Sequence, residues 1–89
     1  MRTRKRVRAH GRVQGVFFRD TVRRAATQRG VAGWAANRPD GTVEAVFEGD
    51  AEAVERLVEL CCAGPGHARV ERLDVSEEEP EGLEGFTVD

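Results

Sequence analysis

Arg19 and the residues just ahead of it, Gln14-Gly15-Val16-Phe17-Phe18, are the part of this chain best suited to chemistry. An alternating, strand-like run ends at Val13, a glycine follows two residues later, and a helical pattern starts at Phe18. A loop that opens a helix in this way offers unpaired backbone N–H groups and the positive end of the helix dipole, which together suit an anion. The guanidinium of Arg19 adds a permanent, forked positive charge at the same point. In outline this is a phosphate site. Asn37 lies further along the chain as a neutral polar group to complete it.

Periodicity supplies the elements that must position these residues. Arg4 to Val13 reads as a strand, with Val7, Ala9, Gly11 and Val13 on one face and Arg6, Arg8, His10 and Arg12 on the other. Phe18 to Arg29 reads as a helix: Phe18, Val22, Ala25 and Ala26 form its apolar stripe, Asp20 suits its first turn and Gly30 stops it. Val31 to Arg38 and Thr42 to Gly49 are strands joined by a tight turn at Pro39-Asp40-Gly41. Asp50 stands as the expected N-cap of a second helix, whose stripe is Val54, Leu57, Val58 and Cys61. Ala68 to about Ser76 is a fourth strand whose broken alternation predicts a bulge. Glu77 to Gly82 reads as a polar loop, and Phe86 to Val88 as a short last strand. The order βαββαβ predicts an α+β, ferredoxin-like sandwich, an antiparallel sheet with two helices on one face. Eighty-nine residues hold one such domain, spanning 1–89.

A net charge of −2 conceals a strong asymmetry. Residues 1–39 carry eleven Arg and Lys against one acid, Asp20, a balance of +10; residues 40–89 carry three Arg against fifteen acids, a balance of −12. One small domain cannot keep such halves apart. Arginine-bearing and glutamate-bearing strands are therefore expected to lie side by side, with Glu44 and Glu48 within reach of the first strand's arginines. That salt-bridged face argues against nucleic acid, as does the absence of aromatic residues from the first strand, since base readout needs stacking platforms. No apolar run approaches 18 residues, and no apolar segment follows the basic N-terminus, so neither a membrane span nor a secretory signal is expected. The adjacent pair Cys61-Cys62 reads as reduced core or near-core thiols. With only His10 and His67 beside them, no zinc spacing can be assembled. The expectation is a cytoplasmic monomer.

Over nearly its whole length the chain resembles the acylphosphatases. The specific parts are Gly11-Arg12-Val13-Gln14-Gly15-Val16-Phe17-Phe18-Arg19 and Gly33-Trp34-Ala35-Ala36-Asn37, beside the hairpin Asp40-Gly41-Thr42-Val43-Glu44. The resemblance implies hydrolysis of small-molecule acyl phosphates to a carboxylate and inorganic phosphate, without metal or cofactor. The family's loop arginine falls on Arg19 and its asparagine on Asn37. On that reading the backbone of Gln14, Gly15, Val16, Phe17, Phe18 and Arg19 forms a nest for the phosphate. Gly15 permits the turn, Arg19 binds two phosphate oxygens, and Asn37 orients water without acting as a strong base. His10 is expected on the surface, and Phe17, Phe18 and Trp34 in core and loop packing. The acyl group stays open among glycolytic acyl phosphates and carbamoyl, acetyl or aspartyl phosphate.

Overall fold

In the computed structural model, which describes all 89 residues except Val16, seven elements follow one another. They are β1 (Arg2–Arg12), α1 (Phe18–Gln28), β2 (Ala32–Asn37), β3 (Val43–Asp50), α2 (Ala51–Ala63), β4 (Arg69–Glu78) and β5 (Phe86–Val88). The strands form one sheet in the order β4-β1-β3-β2-β5. Val7 and Ala9 of β1, Ala45 and Phe47 of β3, and Ala35 of β2 meet Phe18, Val22 and Ala26 of α1 and Val54, Leu57 and Cys61 of α2 in a single core. The apolar stripes that define the helices are thus the surfaces that cover the sheet.

The expected architecture holds, with one topological difference. β1, β2, β3 and β4 pair antiparallel, whereas β5 pairs parallel with β2, Gly33 opposite Phe86 and Ala35 opposite Val88, so the sheet is mixed. The chain leaves β4 at one edge, crosses the face away from the helices and enters the other edge in β2's own direction. β4 also extends through Glu77 and Glu78, which had read as loop. Glu78 lies opposite Arg4, and its carboxylate accepts hydrogen bonds from Arg4 Nε at 2.9 Å and from Arg6 Nε, at 2.6 Å. Those ion pairs offset glutamate's poor strand propensity. The expected bulge is present, a register shift opposite His10 and Gly11.

Charge interleaves as the asymmetry requires. β1 lies beside β3, Arg6 Nη1 donating to Glu44 at 2.9 Å and Arg4 Nη1 to Glu48 at 3.3 Å. Glu48 goes further than expected, since its side chain is fully buried. Its carboxylate accepts the backbone N–H groups of Glu81, Gly82 and Leu83 at 2.7–2.9 Å and a hydrogen bond from Arg2 Nη2 at 2.8 Å. Burial alone would raise its pKa; the N–H groups and Arg2 outweigh it and hold the carboxyl at about 2. The crossing segment is therefore latched to β3, and β5 follows immediately from it.

Two local expectations fail. Asp50 occupies the N-cap of α2, but its carboxylate caps no N–H and faces the N-terminal ammonium at 3.7 Å instead. Phe17 is not packed inside: it is 69% exposed.

Candidate active site

The loop between β1 and α1 has two left-handed residues just ahead of the helix. Gly15 (φ +71°) and Phe17 (φ +64°) both adopt left-handed backbone, and Phe17 is the N-cap of α1. Around Gly15 a side chain would find open space, so it is the backbone conformation and not crowding that favours glycine there. Among the described residues no side chain caps α1, leaving the N–H groups of its first turn without a capping side chain. Phe18 anchors that turn in the core at 2% exposure.

A concavity of 320 Å³ opens at this helix end, lined by Val13, Gly15, Phe17, Phe18, Arg19, Asp20 and Val88. Among the described residues Arg19 has no carboxylate partner, while the carboxylate of Asp20 is taken up by Arg23 at 2.7 Å and Arg24 at 3.1 Å. The hydrogen bond from Arg23, and after it the positive charges of Arg24 and Arg23, hold the Asp20 carboxyl below its ordinary range. Asp20, the acid among the described lining residues, is thereby paired with other arginines and not with Arg19.

Gln14 has a role that its place in the loop did not announce. Its side-chain Nε2 donates to the carbonyls of Arg38 and Thr42 at 2.8 and 2.9 Å. This ties the loop to the mouth of the β2–β3 hairpin, one peptide from Asn37. Asn37 itself ends β2 opposite Val43 with an exposed side chain, and it does not line the concavity. The hairpin turn is rigid: Asp40 Oδ1 accepts from Thr42 N and Oγ1 at 3.0 and 2.6 Å. The structure thus gathers Gly15, Phe17, Phe18 and Arg19 round one space and sets Gln14 and Asn37 at the same end of the sheet. Val16 lies outside the described residues. Val88 lines the concavity too, and the sequence carried no signal for it, because β5 reaches the site only through the crossing segment. Phe17 meets the ring of His67 edge-on, 6.4 Å between centroids.

The remaining singled-out groups lie elsewhere. His10 Nε2 stands 2.8 Å from Asp74 on the sheet face away from the helices. Trp34, on that same face, has the guanidiniums of Arg6 and Arg38 at 5.5 and 5.4 Å from its ring centre, a cation–π arrangement.

The acylphosphatase family model matches residues 5–88. This chain belongs to the acylphosphatase family. It is 60% identical over 88 residues to an acylphosphatase of Thermococcus kodakarensis, covering 94% of this chain and 97% of that one. It is 59% identical over 87 residues to an acylphosphatase of Rubrobacter xylanophilus, 94% and 79% covered. The crystal structure of acylphosphatase from Bacillus subtilis superposes with a TM-score of 0.92 at 38% identity, over 98% of both chains. The fold and the enzyme class follow from this membership, and among the described residues no helix is long and apolar enough to cross a membrane.

Proposed function

We propose that this acylphosphatase hydrolyses acyl phosphates at the concavity before α1, with Arg19 and Asn37 as its catalytic residues and no metal or cofactor. The observation that carries the reading is Arg19, an arginine without a carboxylate partner among the described residues, beside the uncapped first turn of α1. The phosphoryl group sits on the N–H groups of residues 14–19 while Arg19 takes two of its oxygens. A water held by Asn37 attacks phosphorus, the bond from phosphorus to the carboxyl oxygen breaks, and the electron pair leaves on the carboxylate. The water's proton passes to a phosphate oxygen, so carboxylate and inorganic phosphate account for every atom. A carboxylate is a good leaving group, and positioning with charge stabilisation carries the rate.

The concave opening fits a small-molecule substrate. Arg2, Arg4, Arg6, Arg8 and Arg38 of the sheet are matched by carboxylates, which disfavours nucleic acid. Two unpaired thiols fit a reducing cytoplasm, and the exposed large apolar residues Met1, Phe17, Val75 and Val88 lie on separate segments, as in a monomer.

Hydrolysis of benzoyl phosphate, followed by absorbance with chelator present, tests the assignment. Arg19→Ala is expected to weaken phosphate binding and turnover together. Asn37→Ala is expected to lower kcat by about 10²–10³, the loss of one preorganised transition-state contact. Near-normal turnover by a folded Asn37→Ala variant refutes its role, and loss of wild-type activity to the chelator refutes the metal-free mechanism.

A further inference from the structure

We infer that Arg12 and Arg69 form a second anion subsite beside the phosphate cradle, suited to acyl phosphates whose acyl group carries its own carboxylate or phosphate. This rests on the cradle reading above and names a substrate class for that site.

Every other cationic side chain of β1 and β4 has a carboxylate partner. Arg2 and Arg4 meet Glu48, Lys5 meets Glu55, Arg6 meets Glu44, Arg8 meets Asp40, and His10 and Arg72 meet Asp74. Arg12 and Arg69 have none among the described residues. They are also exposed and directly opposite each other in register. Like charges directly opposite in an antiparallel pair destabilise it. Glu71, the acid nearest along β4, sits in the bulge against Gly11 and pairs with neither arginine. A sheet so thoroughly neutralised elsewhere leaves two repelling guanidiniums at one place.

Both arginines stand close along the chain to residues of the site, and neither lines the concavity itself. Arg12 precedes Val13, which lines the concavity, and stands three residues before Gly15, at most about 11 Å along the chain. Arg69 opens β4 two residues after His67, whose ring meets Phe17 of the loop. The neighbouring Val13 and Val70 turn to the core, so alternation sends both arginines to the opposite face. A carboxylate or phosphate between them would accept charge-assisted hydrogen bonds from both and cancel their repulsion. Arg29, the other arginine without a carboxylate partner among the described residues apart from Arg19, lies just past the far end of α1, about 16 Å of helix away.

The experiment compares kcat/KM for benzoyl phosphate and 4-carboxybenzoyl phosphate, a rigid substrate whose extra carboxylate cannot reach the phosphoryl group. Wild type, R12Q, R69Q, R12Q/R69Q and the distant R29Q are assayed. The ratio of 4-carboxybenzoyl to benzoyl phosphate is expected to fall about fivefold in the double variant, mainly through KM, and to hold in R29Q. Both single variants should melt no lower than wild type, since each relieves repulsion. An unchanged ratio in the folded variants overturns the subsite while leaving the cradle reading intact, as does an equal fall in R29Q. A lower melting temperature in both single variants overturns it too. Wild type inactive on both substrates overturns the cradle reading and the subsite together.

Discussion

Glu48→Gln is the substitution that tests most of this reasoning at once. The carboxylate is completely buried, yet it accepts three backbone N–H groups of the crossing segment and hydrogen bonds from Arg2 and Arg4. With its pKa moved from an ordinary 4.5 to about 2, the ionised form contributes about 3 kcal/mol to folding. The sign follows from the lowered value. That stability is complete above the unfolded pKa, near 4.5, and is lost as pH falls toward 2. Glutamine keeps the shape but removes the charge, and its NH₂ must face donors where an oxygen accepted. A loss of about 3 kcal/mol at pH 7 is a large share of what a domain this size has to spare. Urea titrations of both proteins at pH 7, 4 and 3 measure it. The two stabilities should converge as pH falls, because acid removes from wild type what the substitution has already removed. Glu78, held near 2 chiefly by Arg6, titrates in the same window in both proteins and cancels in the difference. A gap under 1 kcal/mol at pH 7, or one that stays constant down to pH 3, refutes the latch.

Gly33→Ala should prevent native folding. Its backbone is at φ +141°, and a Cβ there would lie 1.8 Å from the Val46 carbonyl oxygen, for a cost of about 3 kcal/mol or more; a cooperative melt near the wild-type temperature would contradict this. Cys62 is exposed, whereas Cys61 is buried, with burial pushing its thiol up to about 12. A disulfide reagent should therefore titrate one thiol per native chain and two after denaturation, and equal rates for both would refute the burial.

Much of the site was legible in residue order. The switch from a period of two to a helical period at Phe18, with Gly15 just before it, located the loop, because both periods and the left-handed turn are local properties of the backbone. The charge asymmetry foretold the β1–β3 ion pairs for the same reason: alternation places Arg6 and Glu44 on one face once their strands pair. The failures share a different cause. Asp50 was a sound cap by type, yet the ammonium of Met1, distant in sequence, took its side chain. Glu77 and Glu78 read as solvated loop because what holds them in β4 is distant in sequence: Glu78 pairs with Arg4 and Arg6, more than seventy residues away, and Glu77 lies opposite Lys5. Gln14 looked like one more backbone donor, and only the nearby hairpin carbonyls gave its amide a task.

By itself the sequence determined where helix, strand and turn begin, which faces are apolar, and that Arg19 stands at a helix start, since these depend on neighbours within a few residues. Tertiary structure decided that Glu48 is buried and ionised, that the segment after β4 crosses the sheet, that β5 joins β2 in parallel and that Val88 completes the concavity. Those outcomes rest on long-range pairings. A buried carboxylate is tolerable only when donors from distant parts of the chain converge on it, and that convergence exists only after folding.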